Sequence, residues 1–164
     1  MTIADHERIT SLSFSTSVGW ITLFEKSNKI ISLEWGRVKL QAESYLLKAA
    51  KTEIIEYFNK ERKNFSVPLS PTGTNFQKSV WAIIENIPYG ETRTYGDIAN
   101  QINSAPRPIG GACGKNPIPI LIPCHRVIGT KNKLTGFSGG FGVQTKQSLI
   151  KLETQVKHTL NIIN

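Results

Sequence analysis

At 164 residues, with 39% hydrophobic and 20% charged side chains, the chain has the make-up of one ordinary globular domain or two small ones sharing a core. No run approaches the ~20 apolar residues of a membrane span, and the N-terminus lacks the basic and apolar regions of a signal peptide, so a soluble cytoplasmic protein is expected. A formal net charge of +8 favours a polyanionic partner such as nucleic acid, or serves solubility alone.

Residues 11–34 read as an antiparallel meander. Leu12 and Phe14 alternate with serines, Gly19 breaks the run, Trp20 to Phe24 form a second stretch, Ser27-Asn28 turns, and Ile30 to Leu33 form a third. From about Gln41 to Asn59 the period lengthens. Leu47, Ala50, Ile54 and Phe58 make the stripe of one amphipathic helix, with Glu53, Glu56 and Lys60 outside it. Nothing in residues 1–66 carries a catalytic constellation, so a structural N-terminal domain is expected there, followed by a Pro-containing linker over 67–72 and a second domain over 73–164.

Thr74-Asn75-Phe76-Gln77 has capping-box spacing and opens a helix with Phe76, Val80, Ile83, Ile84 and Ile87 on one face and Trp81 in the core. It ends at Pro88-Tyr89-Gly90. Thr94 is the N-cap of a short helix facing Ile98, Ala99 and Ile102 inward, and a turn at Asn103-Ser104 leads to a second segment beginning near Ala105 or Pro106, a helix that starts at Pro106 or has a distorted first turn. Two short helices joined by a tight turn fit a helix-turn-helix, although any helical hairpin looks similar. The second helix is slim. Gly110-Gly111 costs about 1 kcal/mol per glycine relative to alanine. That cost implies close approach of another surface or tight packing on the protein's own core.

The next stretch, Ile120-Leu121-Ile122-Pro123-Cys124-His125-Arg126-Val127, is an apolar run of strand character stopped by a proline and followed by a thiol, an imidazole and a guanidinium. Cys124 is either a small buried hydrophobe or a nucleophile activated by its neighbours. Cys113, the other cysteine, reads as a reduced packing residue. His6, His125 and His158 are too scattered for a zinc site. A polar turn, Gly129-Thr130-Lys131-Asn132-Lys133, precedes the glycine-rich segment Leu134 to Gly140, which lacks a lysine-containing phosphate-loop pattern and is a surface loop or a pocket wall. Leu149, Leu152, Val156 and Leu160 mark a closing helix that also carries Glu153.

Pro123-Cys124-His125-Arg126-Val127, preceded by Gly114-Lys115-Asn116-Pro117-Ile118-Pro119, resembles the active-site segment of the O6-alkylguanine-DNA alkyltransferases, and the likeness runs from about Gly73 to Glu153. The resemblance implies an α+β fold: a small N-terminal antiparallel sheet with a helix, ribonuclease H-like, then a mostly helical C-terminal domain with a winged helix-turn-helix-like motif. It implies a DNA repair enzyme, a single-turnover suicide methyltransferase, that flips O6-alkylguanine out of duplex DNA and transfers the alkyl group irreversibly to Cys124.

Each molecule acts once, because the protein cannot reverse the thioether, so the transfer is stoichiometric. In that reading Cys124 is the nucleophile, His125 takes its proton through a water, and Glu153 orients the histidine. Asn116 ties the recognition segment to the active-site turn. The hydroxyl of Tyr95 bonds the guanine ring nitrogen, Ser138 meets the O6 edge through its backbone N–H, and the carbonyls of Cys124 and Val127 accept from the exocyclic amine. Phe137 and Gly139 complete the pocket wall. Arg107 fills the gap left by the flipped base from the minor groove, and Thr94, Ala105, Pro106, Gly110, Gly111, Lys115 and Arg126 join it in contacting DNA. Prolines flank Arg107 where the family commonly has alanines, and two extra residues lie between Gly140 and Glu153. No cofactor and no metal are implied, and the protein is expected to act as a monomer on duplex DNA, nucleoid-associated in a prokaryote. A non-catalytic lesion-binding relative lacks the cysteine. A cysteine hydrolase using Cys124 and His125 is disfavoured, because adjacent residues of an extended segment point apart.

Overall fold

A computed structural model describes residues 8–39, 42–135, 137 and 139–163, with side chains as far as 155. The chain divides into two compact units, Met1–Thr72 and Gly73–Asn164.

In the first unit, β1 (Thr10–Thr16), β2 (Gly19–Lys26) and β3 (Lys29–Trp35) form an antiparallel sheet in the order β1-β2-β3. Ser27 and Asn28 both take positive φ, the conformation that a two-residue hairpin needs to match strand twist. Leu12, Phe14, Ile21, Leu23, Ile30 and Leu33 are buried. Helix α1 (Tyr45–Phe58), capped by Ser44, buries Leu47, Ala50 and Ile54.

Three expectations change here. Glu53 is buried rather than outside the stripe: its carboxylate accepts from the Ser66 N–H at 3.0 Å and from the Ser66 hydroxyl, and lies 3.6 Å from Arg62. Tyr57 takes the fully buried place and Phe58 is only half-buried. The segment over 67–72 is not a free linker, because Ile30 bonds Pro68 and Ser70 through the backbone and bridges to Leu69 in parallel.

The second unit opens with α2 (Asn75–Glu85), whose capping box joins Thr74 and Gln77 reciprocally. Val80, Trp81 and Ile84 are buried, and the Trp81 indole donates to the Ala112 carbonyl at 2.9 Å. Phe76 is 40% exposed, contrary to the stripe, since the first turn of the helix projects beyond the core. A two-residue strand β4 (Arg93–Thr94) leads into α3 (Tyr95–Gln101), which buries Ile98 and Ala99 and has Thr94 as N-cap with Asp97 closing a second capping box. Asn103, at positive φ, turns the chain toward α4 (Pro106–Gly114). Pro106 occupies the first helical position, where its missing N–H and fixed φ cost nothing. Strand β5 (Val127–Ile128) pairs with β4 in parallel, setting Arg93 beside Val127 and Thr94 beside Ile128. Helix α5 (Val143–Ile163) closes the unit.

Candidate active site and nucleic-acid interface

The apolar run before Cys124 is a tight turn and not a strand. Ile122 N–H donates to the Ile118 carbonyl at 2.9 Å, and Ile120 sits at φ 73, a left-handed conformation that is unusual for a β-branched residue. Asn116 holds this turn from the inside: its Nδ2 donates to the Ile122 carbonyl and its Oδ1 accepts from the Ile118 N–H, both at 2.9 Å. Pro123, at φ −80 and ψ 62, is the centre of an inverse γ-turn in which Cys124 N–H donates to Ile122 at 2.8 Å. Cys124, His125 and Arg126 then form one 3₁₀ turn, so their side chains diverge around an axis as the alternation of a strand would not allow.

All three are buried. His125 is 0% exposed and its Nε2 lies 2.8 Å from Glu153 Oε2. The other carboxylate oxygen, Oε1, accepts from Arg126 Nε at 2.7 Å and Nη2 at 2.5 Å, while Arg126 Nη1 donates to the Ile87 carbonyl at 2.7 Å. Arg126 is therefore not a DNA contact: burial and three bonds commit its guanidinium to Glu153 and to the Ile87 carbonyl just beyond α2. Burial raises the Glu153 carboxyl, but the hydrogen bonds and charges of His125 and Arg126 outweigh it and hold the group below the ordinary carboxylate range. Burial lowers the affinity of His125 for a proton, more than Glu153 restores it. A neutral imidazole that donates from Nε2 to Glu153 leaves Nδ1 with a lone pair, and Nδ1 has no protein hydrogen-bond partner among the described residues. That is the arrangement of a base waiting for a proton.

The Cys124 thiol is pushed up by burial, against the opposing pull of the Asn116 hydrogen bond and the positive charge of Lys146. Lys146 was not anticipated. It is 1% exposed, and its ammonium donates to the Thr135 carbonyl at 2.9 Å and to the Tyr95 hydroxyl at 3.3 Å. Tyr95 in turn donates to Thr135 at 2.9 Å. The spacing of Lys146, Leu149 and Glu153 on one face of a helix was the signal available in the sequence, hidden because a lysine at such a position normally marks the solvated side. Cys113 is buried near this group, its thiol pushed up to about 12 by burial first and by Cys124 second. It is a packing residue with little nucleophilic character at neutral pH.

Val127 is fully buried on β5, and Phe137 and Gly139 are half-buried in the segment before α5. Ser138 lies outside the described residues. Among the DNA-contacting candidates, Ala105, Pro106, Arg107, Gly111 and Lys115 are exposed on α4 or at its ends, whereas Thr94 is half-buried and occupied in capping α3. A Cβ built on Gly110 would lie 3.9 Å from the Tyr95 ring, and one built on Gly111 would meet nothing within 4 Å. The protein's own core therefore does not require glycine at 111.

Two family models cover nearly the whole chain: 6-O-methylguanine DNA methyltransferase, ribonuclease-like domain, over residues 3–71, and the DNA binding domain of the same family over 75–155. The methylated-DNA–protein-cysteine methyltransferase of Methanosarcina acetivorans is 43% identical over 85% of this chain and 95% of its own length. The inducible methylated-DNA–protein-cysteine methyltransferase of Bacillus subtilis is 40% identical over 90% of this chain and 86% of its own. Among solved structures, the Mycobacterium tuberculosis O6-methylguanine methyltransferase aligns with TM-score 0.81 at 36% identity, covering 90% of this chain and 94% of that one. The M. tuberculosis OGT in complex with DNA aligns with TM-score 0.80 at 38% identity, covering 88% and 92%. With a buried cysteine beside an imidazole–carboxylate pair and these relatives along nearly its full length, the chain belongs to the 6-O-methylguanine DNA methyltransferase family.

Proposed function

We propose that this protein repairs O6-alkylguanine in duplex DNA by moving the alkyl group onto its own Cys124, once per molecule. The observation that carries this reading is the buried His125–Glu153–Arg126 network immediately following the cysteine, in a chain of this family. The thiol proton passes through a water to His125 Nδ1. The sulfur–carbon bond forms as the O6–carbon bond breaks, and the bonding pair stays on O6. Glu153 stabilises the imidazolium, and Arg126 keeps Glu153 anionic and in place. The leaving base gains negative charge, and a proton returned to it completes the balance. Tyr95 serves as the donor to the ring nitrogen, exchanging Thr135 for the base, with the Lys146 ammonium beside its hydroxyl.

The reacting carbon lies inside the base stack, so the nucleotide is extruded before transfer. The slim, exposed face of α4 suits the minor groove, with Arg107 entering the gap. Residues 73–164 carry ten Lys and Arg against four acids, Glu85, Glu91, Asp97 and Glu153, which leaves this unit cationic toward DNA. Gly139 lines the pocket, and the protein works as a monomer without a cofactor.

The test is intact-protein mass spectrometry after mixing with a duplex carrying one O6-methylguanine, followed by peptide mapping. The expected result is a gain of one methyl group, at one equivalent, on Cys124. Tight binding of the lesion duplex with no mass gain would replace repair by lesion binding alone.

A further inference from the structure

The turn Gly129–Lys133 has no part in the chemistry above, yet it is built with care. Gly129 N–H donates to the Lys133 carbonyl at 2.7 Å, Lys133 N–H donates to Thr130 at 3.3 Å, and Lys131 and Asn132 take successive positive φ. A Cβ on Gly129 would stand 3.1 Å from the Lys133 carbonyl, so the closure is tight enough to favour glycine. Both ends are tied to the pocket. Ile128 pairs with Thr94, and Thr135 accepts from Tyr95 and Lys146. Lys131 and Lys133 are exposed, and neither makes an ion pair among the described residues. The segment containing this turn meets the Tyr95 hydroxyl, while α4, with exposed Arg107 and Lys115, packs Gly110 near the Tyr95 ring. Two cationic elements thus converge on one pocket residue.

We propose that Lys131 and Lys133 form a second phosphate-binding element that grips the DNA backbone beside the pocket, complementing the contacts of α4. The partner chemistry is the backbone phosphate, met by two ammonium groups on a closed turn that needs little further ordering to bind. This rests on the repair reading, because it assumes that duplex DNA lies across Tyr95.

The experiment compares wild type with the double variant Lys131→Ala/Lys133→Ala. Affinity for an unmodified duplex is measured over a salt series, and alkyl transfer is measured both from a lesion duplex and from O6-benzylguanine as a free base. Two lost phosphate contacts reduce the slope of log K against log salt by about 1.8, so the fall in affinity over a fourfold salt increase becomes about 12-fold smaller. Transfer from subsaturating duplex slows, transfer from the free base keeps its rate, and Lys131→Arg/Lys133→Arg retains the wild-type slope. An unchanged slope and unchanged duplex transfer in the alanine variant would overturn the proposal while leaving repair intact. Failure of the wild type to react with either substrate would instead overturn the repair reading on which it rests.

Discussion

Replacing Arg126 with methionine tests the centre of the site. The change removes the bonds of 2.7 Å and 2.5 Å to Glu153 and that of 2.7 Å to the Ile87 carbonyl, leaving a buried carboxylate held by His125 alone. Breaking one side of a buried ion pair costs about 3–5 kcal/mol. For a chain of this size that lowers Tm by roughly 6–20 °C. The pH dependence carries a sign. Glu153 has a depressed folded pKa, so its contribution is present above its unfolded pKa and is lost as pH falls through the folded one. Removing Arg126 weakens that depression, so the gap between variant and wild type is widest near neutrality and narrows on acidification. Urea denaturation at several pH values measures it, alongside duplex affinity over a salt series. A loss below about 1 kcal/mol, together with a salt slope reduced by about 0.9, would refute the reasoning and return Arg126 to the role of a phosphate contact.

Other substitutions and conditions separate the remaining roles. Gly111→Ala stabilises α4 by about 1 kcal/mol, because the added methyl meets nothing within 4 Å, yet it weakens duplex binding where the slim face enters the groove; chemical denaturation and a binding titration check both. Lys146→Met removes the cation that lowers the Cys124 pKa, so alkylation of the thiol by iodoacetamide shifts to higher pH and transfer slows about 10-fold or more. Glu153→Gln leaves His125 without its carboxylate and slows transfer by roughly 10²-fold, the low end for general base catalysis, read by single-turnover kinetics. His125 is buried neutral with a depressed pKa, so stability present above about pH 6.5 declines as pH falls through its folded value, which a thermal melt series across pH 5–8 detects.

Local patterns were legible wherever one residue's chemistry sets the backbone. The caps at Thr74 and Thr94, the helix start at Pro106 and the turn at Ser27-Asn28 follow from side chains bonding the nearest amides or tolerating positive φ. The motif around Cys124 was legible too, because it is contiguous in the chain and its neighbours 116, 125 and 126 are close in sequence. What tertiary structure decided is the fate of charge. Glu53 looked solvated until Ser66 and Arg62 reached it from beyond the helix, and Arg126 looked like a DNA contact until α5 brought Glu153 to it from 27 residues away. Lys146 became part of the site through Tyr95, which lies 51 residues earlier in the chain. Periodicity reports which face of an element is apolar, but whether a charged side chain there is solvated or buried depends on partners that only the folded chain supplies.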